Sequence, residues 1–135
     1  MKTIYGGFAM RAVEEKIIQA LRGCSGEGLK KLSCRDSVEV DGGTRKYWLW
    51  DNLLFWNEPE NVYCFSARGW SSITTKSRLS QILGSFCNAG ICQKNCEWFL
   101  EWNGKKYPVD SESVFMLKGN KLYKKAEQCT EILPL

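Results

Sequence analysis

The residue types that most often perform chemistry are sparse in this chain, and one is missing: its 135 residues include no histidine. That removes the commonest general base, the Ser–His and Cys–His nucleophile pairs, and histidine metal sites. Acidic residues such as Asp51, Glu97 and Glu101 remain. On one strand Glu97 and Glu101 would share a face about 13 Å apart by strand rise, too far for a catalytic carboxylate pair unless the strand bends. No glycine-rich phosphate loop of a recognised pattern occurs. The residue set therefore points to a protein that is not an enzyme.

Seven cysteines are the next candidates. Cys87, Cys92 and Cys96 read C-x4-C-x3-C, and with Cys64 as a fourth thiolate they have the ligand type that zinc takes. Structural zinc sites usually show tighter paired spacing, such as C-x2-C twice. Cys87 and Cys96 also fall where a helix and a strand would bury apolar side chains, a role free cysteine fills as a small hydrophobe. The reading is free thiols, no metal and no cofactor. The odd count and an N-terminus, "MKTIYGGFAM", without an apolar run of signal length point to reduced thiols in a host cytoplasm. No segment approaches the ~18 apolar residues needed to cross a membrane, so no membrane partner is expected.

The third candidate is "ARGWSSITTKSRLSQILGSF", residues 67–86. Leu79, Ile82, Leu83 and Phe86 recur at i, i+3, i+4 and i+7, the stripe of a helix packed on a sheet. Thr74 or Thr75 suits the N-cap. Lys76 and Arg78 then lie in the first turn, where cations oppose the positive end of the helix dipole at a cost of about a few tenths of a kcal/mol each. Hydroxyls, unpaired N–H groups and two cations at one helix start also suit an incoming anion. Arg68, Trp70, Thr75, Lys76 and Arg78 are therefore the candidate partner-binding residues. A capped helix with solvated charges, or an internal carboxylate beside the cations, are the alternatives.

The elements that must position these residues follow from periodicity. "AMRAVEEKIIQALRGC" places Met10, Val13, Ile17 and Leu21 on one helical face, predicting a helix from about Met10 to Arg22 that stops at Gly23. "CSGEGLKKLSC" reads as a loop. From Ser37 the period becomes two. "SVEVDGGTRKYWLW" predicts a hairpin about Asp41–Gly42–Gly43, with a turn at Asp51–Asn52, a strand "LLFW", and a break at Pro59. "VYCFSA" is a strand, and the helix from about Thr75 to Phe86 follows. "GICQKNCEWFLEW" turns near Lys94–Asn95, with Cys96, Trp98, Leu100 and Trp102 on one face. Asn103–Gly104 is the strongest hairpin signal, and "SVFML" and "LYKK" form another hairpin about Gly119–Asn120. The expectation is one α+β domain over residues 1–135, an antiparallel sheet with an N-terminal and a central helix packed on it.

Charge is uneven along this plan. Residues 1–67 balance nine Lys/Arg against nine Asp/Glu, and residues 68–135 carry ten against six. The excess sits mainly between Lys105 and Lys125, so Lys105, Lys106, Lys118 and Lys121 are the candidate nucleic-acid contacts if the partner is a polyanion. A solvated lysine-rich edge is the simpler account.

The run "GWSSITTKSRLSQIL" followed by "GICQKNCEWFLEWNGKKYPV" resembles small uncharacterised proteins encoded by phages and other mobile elements. The resemblance covers about residues 62–109 and rests on Gly69, Trp70, Thr74, Thr75, Lys76, Arg78, Leu79, Gln93, Lys94 and Trp98. The three cysteines between Phe86 and Glu97 depart from that pattern, and the N-terminal helix lies outside it. It implies a mobile-element origin. With no catalytic set and many aromatic residues, the expectation is a small binding protein that docks on a larger host protein or ribonucleoprotein. A defence effector inhibited in the manner of anti-CRISPR proteins is the concrete case, and a nucleic-acid-binding domain the alternative.

Overall fold

A computed structural model of the chain describes residues 4–5, 8–23 and 26–135. A short hairpin, β1 (Ile4–Tyr5) and β2 (Phe8–Ala9), leads into helix α1 (Ala12–Gly23). Strands β3 (Gly28–Lys31), β4 (Asp36–Asp41), β5 (Thr44–Leu49), β6 (Asn52–Glu58) and β7 (Val62–Phe65) follow, then helix α2 (Ile73–Cys87). The chain continues through β8 (Ala89–Lys94), β9 (Glu97–Trp102), β10 (Lys105–Val109), β11 (Val114–Lys118), β12 (Lys121–Lys125) and β13 (Thr130–Ile132). The α+β class is as expected, with both helices packed against antiparallel sheet. The strands divide into a two-stranded β1–β2 ribbon, a three-stranded β10–β9–β8 sheet and an eight-stranded sheet ordered β13-β12-β11-β7-β6-β5-β4-β3.

Alternation of side chains about each strand sorts the large sheet into two faces. Val38, Tyr47, Phe55, Phe65 and Phe115 are successive cross-strand partners, and all are buried against the helices. The adjacent row on the opposite face runs Leu29, Glu39, Lys46, Trp56, Cys64, Met116, Tyr123 and Glu131 through all eight strands. A β-bulge shifts the register between Tyr47 and Trp48 where β5 pairs with β6.

The turns are mostly those the sequence announces. Gly42–Gly43 and Asn103–Gly104 hold two positive φ angles each, as a two-residue type I′ hairpin requires. The β8–β9 turn falls at Asn95–Cys96 rather than Lys94–Asn95, one residue later than expected. The β5–β6 turn falls at Trp50–Asp51 rather than Asp51–Asn52, one residue earlier than expected. Other boundaries differ as well. Residues 28–31, expected in a loop, form β3, because pairing with β4 overrides a glycine- and lysine-rich composition. Helix α2 begins at Ile73, with Ser72 as N-cap instead of Thr74 or Thr75; the Ser72 hydroxyl accepts from the Thr75 N–H at 3.2 Å. Its C-cap, Asn88, sits in the left-handed region. Cys24 and the opening residues 1–3 and 6–7 lie outside the described residues.

Helix α2 is enclosed rather than laid on a sheet with one side in water. Besides the expected Leu79, Ile82 and Leu83, the polar residues Thr75, Ser77, Arg78, Ser80 and Gln81 are buried. The Ser80 hydroxyl shows how one polar contact is absorbed: it accepts from the Ile91 N–H at 3.0 Å and donates to the Ile91 carbonyl at 3.1 Å. It thus occupies the place of a neighbouring strand along β8.

Candidate functional site

Two cations two residues apart in α2 have opposite fates. Lys76 reaches the surface of the small sheet, hydrogen-bonded to Gln93 Oε1 with its ammonium 5.7 Å from the Trp98 ring centroid. Arg78 is fully buried. Its Nη1 donates to Glu14 Oε2 at 3.0 Å, and its Nε donates to Asp36 Oδ1 at 2.9 Å. The internal-carboxylate alternative is therefore what the structure contains at Arg78, and Arg78 cannot contribute to a surface. Thr75 is buried as well, its N–H and hydroxyl both engaged with Ser72.

The cluster around Arg78 is closed. Glu14 uses one oxygen to accept from the Arg11 N–H at the start of α1, and the other to accept from the Ser77 hydroxyl at 2.7 Å as well as from Arg78. Asp36 accepts from the hydroxyls of Ser33 and Tyr47 besides Arg78. Burial acts to raise the Asp36 carboxyl, but hydrogen bonds from Arg78, Ser33 and Tyr47 outweigh it and hold it below the ordinary aspartate value. Burial likewise acts against the Arg78 charge, and Asp36 outweighs it, leaving the guanidinium more firmly protonated. Burial, followed by the bond to Asp36, pushes the Tyr47 phenol up. Three charges from α1, α2 and β4 are thus pinned together, which ties the two helices to the large sheet.

The remaining predicted partner-binding residues are exposed but dispersed. Arg68 donates from Nε to the Leu53 carbonyl at 2.9 Å, and its guanidinium lies 5.6 Å from the Trp56 ring centroid, on the outer face of the large sheet. Trp70 is 57% exposed in the loop before α2, and Ile73, which the sequence reading passed over, is 63% exposed at the helix start. Of the candidate polyanion contacts, Lys105 and Lys106 lie on β10, and Lys118 and Lys121 face each other across the β11–β12 hairpin. Lys121 also meets Glu131 at 3.6 Å.

The six described cysteines are free thiols. Among the described residues no three of Cys, Asp and Glu gather closely enough to hold a metal. Burial pushes the Cys64 thiol up to about 11 and Cys87 to about 12. Burial, with the Glu101 carboxylate beside it, pushes Cys92 up to about 11. Such thiols are poor nucleophiles at neutral pH, since the thiolate is the reactive form.

Sequence reasoning missed a second surface. At the β5–β6 turn Trp50 is 62% exposed at φ 53°, a conformation uncommon for a bulky residue. It lines a cleft of about 520 Å³ with Leu29, Lys31, Cys34, Arg35 and Trp48. The available signal was a tryptophan in a two-residue turn, "WLWDN", where glycine or asparagine is usual. No described helix is long and apolar enough to cross a membrane. A family model described as Kyanoviridae Gp96 protein matches residues 10–128 of the chain. No curated protein and no solved structure matches it.

Proposed function

The chain belongs to the Kyanoviridae Gp96 protein family, a phage family, and from that premise we propose a non-enzymatic binding protein that docks on and inhibits a larger host partner. A defence effector, met in the manner of an anti-CRISPR protein, is the concrete case. The observation that carries this reading is the exposure of two large apolar residues, Trp70 and Ile73, at the approach to α2; Arg68 and Lys76, the surface cations of the same stretch, lie apart, on the outer face of the large sheet and on the small sheet. Tryptophan is enriched among the residues that anchor protein interfaces. The charges that would otherwise serve acid–base chemistry, Glu14, Asp36 and Arg78, are consumed by one another in the interior.

Tagged protein incubated with host lysate, with and without nuclease, tests the reading. A single host protein or ribonucleoprotein should be retained by wild type and lost by the Trp70→Ala, Lys76→Ala double variant, at a stability loss of about 1 kcal/mol or less. Retention by that variant removes the α2 approach from the interface.

A nucleic-acid reading has one supporting observation. Lys118 and Lys121 are direct cross-strand partners, and like charges so placed repel unless an anion lies between them. Glu131 offsets part of that repulsion. Affinity for single- or double-stranded DNA that falls steeply between 50 and 200 mM salt, on the order of tenfold or more, would favour it.

A further inference from the structure

Strand β3 ends the eight-stranded sheet: it pairs with β4, and among the described residues no strand lies along its other side. All four of its residues are exposed. A cleft adjoins it on each face of the sheet. On the helix side Lys16, Gln19 and Ala20 of α1 stand opposite Lys30 around about 550 Å³. On the outer side Leu29, Trp48 and Trp50 line the cleft of about 520 Å³, with Lys31 and Arg35 among its other residues.

Lysines commonly blunt a sheet edge, and Lys30 and Lys31 fit that role. Leu29 before them, 66% exposed, and the exposed indole of Trp50 do the opposite. Trp50 is also held with its backbone in the left-handed region, a strain that persists where the surroundings impose it. The two clefts differ in charge: Lys16 and Lys30 stand with Glu27 on the helix side, and Lys31 and Arg35 with Glu39 and Asp51 on the outer side. Glu27 already accepts from the Gly42 N–H, and Glu39 from the Trp48 indole. Lys16, Lys30, Lys31 and Arg35 form no ion pair among the described residues. The helix-side cleft thus keeps an excess of one cation, and the outer, apolar cleft is neutral.

We propose that β3 is a docking edge that takes an extended acidic segment of a partner protein as an added strand. Successive side chains of such a strand point to opposite faces, so alternate residues enter the two clefts. Apolar ones meet Leu29, Trp48 and Trp50, and acidic ones meet Lys16 and Lys30. Main-chain hydrogen bonds along β3 supply affinity, and the clefts supply selection. The inference rests on the reading that this protein docks on a protein partner, and adds to it a contact built from different residues.

The probe is a fluorescent ten-residue peptide alternating glutamate with valine, with one central tryptophan on the valine face. Two control peptides replace glutamate by lysine or methylate alternate backbone amides. Anisotropy should report binding of the acidic probe, weakened at least tenfold by lysine, by amide methylation, and by the Lys16→Glu, Lys30→Glu variant. Cys34 lines the outer cleft and is exposed, as are Cys96 and Cys129 elsewhere. Bound probe should slow alkylation of Cys34 relative to Cys96 and Cys129. An acidic probe that does not bind at millimolar concentration, that binds regardless of methylation, or that slows all three thiols alike overturns the proposal. A host partner lost on Trp70→Ala, Lys76→Ala, together with a probe that does not bind, leaves the docking reading standing and removes this edge from it.

Discussion

Beneath α2 an arginine and two carboxylates lie out of water; along β3 and the β5–β6 turn a leucine and a tryptophan lie in it. Both regions invert the usual distribution of residues, but they differ in how their groups are satisfied. Arg78, Glu14 and Asp36 find their partners within the chain, with hydroxyls of Ser33, Tyr47 and Ser77 filling further sites. Leu29 and Trp50 are left with most of their surface open. A buried polar group whose partners are all internal is a statement about the fold. An exposed apolar group that the backbone strains to present has no such internal account, and the proposed contact would supply one. Net charge and hydrophobic fraction do not separate these cases; only the accounting of partners does.

The sharpest way to break the contrast is to open the closed cluster. Arg78→Ala leaves two carboxylates buried without their counter-charge and should cost about 3–5 kcal/mol. Lys76→Ala, two residues away in the same helix, removes a cation–π contact near the surface and should cost about 1 kcal/mol or less. Urea unfolding of both variants tests the pair. Similar losses would mean that the cluster is wetter than its geometry implies.

Leu83→Ala comes next, at about 2–5 kcal/mol, because Leu83 is fully buried in the core. This residue was legible in the sequence: the Leu79–Ile82–Leu83–Phe86 stripe has helical spacing and needs no knowledge of distant residues. Arg78 was not legible. Its partners lie 42 and 64 residues away, and nothing local distinguishes a cation awaiting a buried carboxylate from one facing water. The hairpin turns at Gly42–Gly43 and Asn103–Gly104 were readable for the same reason as the stripe, since φ preference is local. Strand β3 was hidden because its backbone is fixed by pairing with β4, not by its own residues, and the separation of the small sheet from the large one depends on tertiary packing alone.

The pH dependence of stability tests the closed region without mutation. Asp36 has its carboxyl depressed in the folded protein, so its contribution is fully present above the unfolded value, near pH 3.9, and is lost as pH falls through the folded value. Asp110 adds the same sign. Burial raises its carboxyl, but the backbone N–H groups of Ser113 and Glu112 outweigh that and lower it. Urea midpoints should change little between pH 7 and 5 on account of these groups and fall below about pH 4. Asp110→Asn should flatten part of that fall. A midpoint that rises on acidification would contradict the pairing of Asp36 with Arg78.

The smallest effect expected on stability belongs to Trp50, and it has the opposite sign. A left-handed conformation costs an L-residue roughly 1–2 kcal/mol, and asparagine and glycine tolerate it best. The indole is mostly in solvent, so its removal forfeits little burial. Trp50→Asn should therefore leave stability unchanged or raise it by up to about 1 kcal/mol. The backbone hydrogen bond from Trp50 N–H to the Arg35 carbonyl, at 2.7 Å, survives the change because it uses no side-chain atom. If the outer cleft is a contact surface, the same variant should weaken binding of the alternating Glu/Val probe by tenfold or more, because one of the two indoles that line the cleft with Leu29 is gone. A variant that gains stability and loses binding identifies a strained residue kept for contact. One that loses stability by more than about 1 kcal/mol would place Trp50 with the closed region instead, as packing that the sheet needs, and the contrast between the two regions would fail at this residue.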